Sequence, residues 1–138
     1  MAYELVWEPD GVLKRFSGTV PADEFLRSVK QVQGDPRFDD MRYIISDFSD
    51  AFADKITEDV LTELSAMHYG AYASNPNSRI AFVTTDQAFA ERIRRILLSP
   101  DMVSYQVEVS STLSEARDWL DSQPQLHLLS DVMGFRIR

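Results

Sequence analysis

Cysteine is absent from this 138-residue sequence. Disulfides, thiol nucleophiles and thiolate metal sites are therefore excluded. Histidine is almost as scarce, with His68 and His127 the only two. No H-E-x-x-H pair exists, so a zinc site would have to be assembled from scattered groups. The five glycines, at 11, 18, 34, 70 and 134, are nowhere closer than seven residues apart. That spacing excludes the G-x-G-x-x-G and P-loop cradles for nucleotide phosphates. A G-x-S-x-G nucleophile elbow is missing too. No stretch approaches the ~20 apolar residues that a membrane helix needs. The opening residues, Met1-Ala2-Tyr3-Glu4-Leu5-Val6-Trp7-Glu8, have neither the basic start nor the long apolar stretch of a signal peptide. We read a soluble cytoplasmic protein that does not engage a membrane.

Positive charge is in short supply. Fourteen Lys and Arg stand against 22 Asp and Glu, for a net charge of −8. Binding to DNA or RNA is driven by neutralising phosphates, so the sign is wrong for a nucleic-acid partner. The imbalance is local: residues 1–66 hold 14 acids and 7 bases, whereas residues 67–138 hold 8 and 7. Its densest stretch is Asp47, Asp50, Asp54, Glu58, Asp59 and Glu63, relieved only by Lys55. Such a stretch is either a solvated face or a docking surface for a basic partner.

What the chain does have is a 44% hydrophobic content, enough for one domain with its own core. Alternation over Tyr3–Trp7 and a second strand over Val12–Gly18, around the turn Pro9-Asp10-Gly11, predict an antiparallel hairpin. Pro21, Asp23 and Glu24 open a helix with the apolar stripe Phe25, Leu26, Val29 and Val32, which Gly34-Asp35-Pro36 stops. Tyr43–Phe48 reads as a central strand, followed by a loop over Ser49–Ile56. Thr57 caps a second helix whose apolar face is Val60, Leu64, Met67 and Ala71, and which ends near Ser74-Asn75-Pro76. Ile80–Val83 is a buried strand. Asp86 caps a helix with Phe89, Ile93, Ile96 and Leu97 inward. Tyr105, Val107 and Val109 alternate with polar residues, as in a half-exposed edge strand. Thr112 and Glu115 form a capping box for a last helix carrying Leu113, Ala116, Trp119 and Leu120. The order β-β-α-β-α-β-α-β-α implies an α/β fold with a largely parallel sheet and crossover helices. Residues 1–122 make this domain, and 123–138 form a C-terminal extension. Its apolar residues are left over once the fold is complete, so we expect it to meet a second copy in a homodimer.

Several groups could carry chemistry. Asp47, Asp50 and Asp54 follow the carboxyl end of a parallel strand, where open α/β sheets place ligands. Oxygen-rich clusters suit Mg²⁺ or Ca²⁺, although Asp47 equally suits a hydrogen bond to the backbone of the turn. No metal or other cofactor is expected. Arg92 and Arg95 share a helix face and could hold a phosphate or carboxylate, with Glu91 four residues before Arg95 as an intrahelical partner. His68 sits beside the apolar face of the second helix. With Tyr69 and Tyr72 it could line an apolar ligand pocket.

Pro36-Arg37-Phe38, Arg42-Tyr43-Ile44-Ile45 and Asp47-Phe48-Ser49-Asp50 resemble the SpoIIAA-like branch of the STAS superfamily. So do Ile56-Thr57-Glu58-Asp59, Asn75-Pro76 before Arg79-Ile80-Ala81-Phe82-Val83, and Glu115-Ala116-Arg117-Asp118-Trp119-Leu120. The resemblance spans residues 1 to about 121. It implies a mixed sheet of about five strands with four crossover helices, and a non-enzymatic, regulatory role exerted through protein partners. Among relatives, a serine at a helix start after a central strand is phosphorylated to switch partner binding. The added charge of about −1.5 to −2 blocks docking. Carried over, this makes Ser49 and Thr57 the switch candidates, although the Ser-Gly pair of that switch is absent here. The partner surface then comprises Asp47, Ser49, Asp50, Asp54 and Thr57. Other relatives bind lipids or small apolar ligands in a cleft over the sheet, so a carrier is the alternative. A metal-assisted enzyme using Asp47, Asp50 and Asp54 is the second.

Overall fold

The computed structural model describes residues 2–98 and 105–122. The extension 123–138, with His127 and the expected homodimer contact, lies outside the described residues. The chain runs β1 (Tyr3–Glu8), β2 (Gly11–Thr19), α1 (Ala22–Gln33), a short 3-10 helix (Pro36–Asp40) and β3 (Tyr43–Phe52). It continues through α2 (Glu58–Tyr72), β4 (Arg79–Val83), α3 (Gln87–Leu97), β5 (Gln106–Ser110) and α4 (Leu113–Ser122). This is the expected α/β order. The five strands lie in sequence order, β1 antiparallel to β2 and every later pair parallel.

The pleat sorts the side chains into two layers. Val12, Phe16, Ile44, Phe48, Ile80 and Phe82 face α1, α2 and α3 and form the larger core. Phe48 stacks on Phe16 at 4.4 Å between ring centroids and meets Phe89 of α3 edge-on at 4.8 Å. On the opposite face, Leu13, Ile45, Ala81 and Val83 lie under Ala116 of α4, with Leu113, Trp119 and Leu120 around it. Burial on both faces explains why Ile80-Ala81-Phe82-Val83 is an unbroken apolar run. The alternating β5 stands at the sheet edge, as its pattern predicts. The capping box is formed: the Glu115 N–H donates to Thr112 Oγ1 at 3.1 Å, and the Thr112 N–H donates to Glu115 Oε1 at 3.2 Å. Arg117 holds Glu8 with two nitrogens, at 3.1 and 2.7 Å, and Tyr43 donates its hydroxyl to the same carboxylate, tying α4 to the β1 edge.

Gly11 is required by close approach. A Cβ there would lie 2.5 Å from the Tyr43 carbonyl oxygen and 2.6 Å from its ring. Gly11 pairs with Tyr43 in the sheet, so the clash cannot be relieved without moving β2 off β3. Gly11→Ala is expected to cost about 2–3 kcal/mol, read as a lowered urea midpoint with unchanged slope.

Two expectations are corrected. The segment from Ser49 is no loop at first: β3 continues to Phe52, because β2 runs on to Thr19 and pairs Asp50, Ala51 and Phe52 with Ser17, Gly18 and Thr19. The polar sequence is held in a strand by its neighbour, overriding its weak propensity. On α2 the inward stripe is Leu61, Leu64, Ser65 and His68, with Val60, Met67 and Ala71 only half-buried. Two of its buried positions are polar, so apolar periodicity points to the neighbouring stripe.

Candidate functional site

Two places in the fold gather unusual side chains. The first is the far end of β3. Arg15 pairs with Asp47 but Ser17 pairs with Asp50, so Phe48 and Ser49 together stand opposite Phe16. This is a bulge, one extra residue in β3, and bulges re-aim the side chains that follow. Asp47 pins it by accepting from the Ser49 N–H at 2.9 Å and from the Ser49 hydroxyl at 2.5 Å. β4 ends at Val83, opposite Asp47, so beyond that point, among the described residues, β3 has a strand neighbour on the β2 side only. Phe52, the last residue of the strand, is 68% exposed. Asp50 and Asp54 flank it and are exposed.

The chain then turns back inward. Ala53 and Ile56 are buried, and Arg92 of α3 donates to both of their carbonyls, at 2.9 and 3.1 Å. Thr57 Oγ1 accepts from the Val60 N–H at 3.4 Å and caps α2 as expected. Arg95 pairs with Glu58 of α2, not with the expected Glu91. Arg92 and Arg95 thus have intramolecular partners and do not form the expected anion clamp. Asp47 and Asp50 line a shallow open concavity with Glu4 and Arg15, which Asp54 does not enter. Among the described residues, no group of three acids or histidines could hold a metal ion.

The second place is buried. In β2 the inward positions are Val12, Lys14 and Phe16, and Lys14 is only 3% exposed. Its Nζ donates to Ser28 Oγ of α1 at 3.2 Å, and the Ser28 hydroxyl donates to the Phe25 carbonyl at 2.6 Å. The ammonium position lies 5.6 Å from the Phe25 ring centroid and 5.8 Å from that of Phe16. A small cavity opens beside it between α1, α2 and the sheet, lined by apolar side chains together with Ser46, His68 and Tyr105. Desolvation pushes the Lys14 amine down to about 7. His68 falls to about 3, chiefly through burial and then through the charge of Lys14. The Tyr105 hydroxyl is raised by burial, with a smaller contribution from Tyr72, and it is buried without a hydrogen-bond partner.

Of the three residues expected to line a pocket, His68 does so. Tyr72 packs its ring against Tyr105 at 5.5 Å, behind the lining. Tyr69 is 61% exposed, because it lies one position past His68 and α2 turns it to solvent. Lys14 and Tyr105 are the residues the pattern did not single out. The signal for Lys14 was present: in Val12-Leu13-Lys14-Arg15-Phe16 it shares the phase of the two inward apolar residues. No protein-family model matches the chain, and no curated protein is similar to it in sequence.

Proposed function

We propose that the protein is a non-enzymatic binding module of the SpoIIAA-like, STAS kind, which docks a basic partner protein on the projecting end of β3. The exposure of Phe52 carries this reading. A benzyl side chain at a strand end, flanked by Asp50 and Asp54 and with no strand on one side among the described residues, combines an apolar anchor, acidic neighbours and an open edge. The acidic balance of residues 1–66 supplies long-range attraction for a basic surface and speeds encounter. The α/β order and the mixed sheet are those the resemblance implies, and they support the assignment. Ser49 and Thr57 remain the candidate switch hydroxyls of this proposal. The acids do not converge, so nothing favours the metal-assisted alternative.

The test is quantitative capture with three baits: the wild type, Asp50→Lys/Asp54→Lys, and Phe52→Ala. All three substituted positions are exposed, so thermal midpoints are expected to stay within a few degrees of one another. Proteins enriched by the wild type are expected to be lost from both variants, and wild-type capture should weaken as salt rises. Equal capture by all three baits overturns the assignment.

A further inference from the structure

We propose that the cavity beside Lys14 is a binding site for a single halide ion, chloride above all, with Lys14 as its counter-ion. This site is separate from the docking surface at Phe52 and does not depend on it.

The cavity wall offers donors and no acid. Lys14 Nζ spends one donor on Ser28, whose own hydroxyl donates to the Phe25 carbonyl, and keeps the others. The Tyr105 hydroxyl is buried, lines the same cavity and has no partner. His68 makes no hydrogen bond among the described residues, only a ring contact with Tyr105 at 5.5 Å. The lining includes no Asp or Glu, and no ion pair among the described residues involves Lys14. A buried cation without a counter-charge, beside a buried hydroxyl without an acceptor, lacks a negatively charged neighbour. A water in the same space would take up donors but leave the ammonium unneutralised, whereas an anion supplies both the acceptor and the charge.

The size and charge of the cavity set the class of ligand. Beyond the side chains there is room for about one water molecule. Carboxylates, nitrate and phosphate are too large for that space, so the anion is a single atom. Lys14 is the only charged residue in the lining, which matches one negative charge. Among the halides, fluoride is the smallest and loses the most hydration on burial. Iodide is the widest and fits worst, so chloride and bromide lie between the two limits. Phe25, Val29, Ile44, Leu64 and Phe82 make the rest of the wall apolar, and the low dielectric there strengthens the attraction between ion and ammonium. Gln33, at the end of α1, is the one lining residue that is not buried, and it marks the mouth. Binding should also be coupled to protons. His68 from α2 and Tyr105 beside β5 are the other titratable groups facing Lys14. The lining from α1, the 3-10 helix, β3 and β4 contributes none. A bound halide holds the amine as ammonium, so above neutral pH binding takes up a proton and affinity falls as pH rises.

The experiment titrates sodium chloride, bromide, iodide, fluoride and nitrate into the full chain at pH 6. Sodium gluconate, too large to enter, holds the ionic strength constant. Binding is followed by amide NMR shifts and by the urea midpoint. Saturable shifts around Lys14, His68 and Tyr105 are expected with chloride and bromide, and the midpoint should rise with chloride. Iodide, fluoride and nitrate should bind at least about tenfold more weakly. Lys14→Met should lose the saturable shifts and the response of the midpoint to chloride. Tyr105→Phe, which keeps the cation and removes only a hydroxyl without a partner, should weaken chloride binding by less than about tenfold. Raising the pH from 6 to 9 should weaken it more than about tenfold in the wild type. Four results overturn the proposal: no saturable shift with chloride, as for a cavity that holds water alone; an equal response to chloride in Lys14→Met; nitrate binding as tight as chloride; or an affinity unchanged between pH 6 and pH 9.

Discussion

At pH 6 and without chloride, Lys14→Met is expected to stabilise the fold by about 3–5 kcal/mol, read from the urea midpoint with unchanged slope. The unfolded lysine holds its proton up to about pH 10.5, whereas in the fold burial brings this down to about 7. Between those values the unfolded chain binds more protons than the folded one, so wild-type stability must rise with pH across that window. Below pH 7 the fold carries a buried ammonium whose only polar partner among the described residues is Ser28, and the full penalty applies. A shift of this size corresponds to at most about 5 kcal/mol. Methionine fills nearly the same volume and cannot titrate. The variant should therefore show no rise from pH 7 to pH 9.5, and the two proteins should converge as pH approaches about 10.5, where the unfolded lysine also loses its proton. His68 adds a separate loss in both proteins. Its folded value of about 3 lies below the ordinary histidine value of 6.5, so stability falls as pH drops from 6.5 towards 3. A flat wild-type profile between pH 7 and pH 9.5 would show that the amine is solvated.

The order of elements could be read from the sequence because each has a local cause. Alternation marks β5, a Thr–Glu pair marks the start of α4, and unbroken apolarity marks β4. The site residues were less legible because their roles depend on distant partners. Ser49–Phe52 is strand only because β2 lies beside it. Lys14 and Arg15 are adjacent and alike in charge, yet the pleat buries one and exposes the other. Arg95 found Glu58, 37 residues away, before the carboxylate one turn along its own helix. The exposure of Tyr69 and the burial of His68 follow from which stripe of α2 faces the sheet, and two buried polar residues disguised that stripe.

Asn75→Ala is expected to cost about 3–5 kcal/mol, although the sequence marks Asn75-Pro76 only as a helix stop. Asn75 is 2% exposed. Its Nδ2 donates to the carbonyls of Phe38 and Met41, both at 2.6 Å, and its Oδ1 accepts from the Asn77 N–H at 3.0 Å. One side chain thus closes three backbone groups and ties the end of α2 to the 3-10 helix. Truncation strands the Met41 carbonyl and the Asn77 N–H, at about 1–3 kcal/mol for each group that remains buried, and leaves the Phe38 carbonyl with the Met41 N–H at 3.1 Å. Asn75→Asp separates this from a simple loss of packing. It keeps the shape but turns an oxygen towards two carbonyl oxygens, so at pH 7 it should be worse than alanine. A carboxyl facing carbonyls has a raised folded pKa, so the folded chain binds more protons. Relative to wild type, the aspartate variant should therefore recover as pH falls below about 5. Phe38 is also a wall of the Lys14 cavity. Loosening the 3-10 helix should speed amide exchange through Phe38–Met41, while capture through Phe52 is unchanged. Unchanged amide exchange through Phe38–Met41 in Asn75→Ala would show that the side chain does not hold the 3-10 helix.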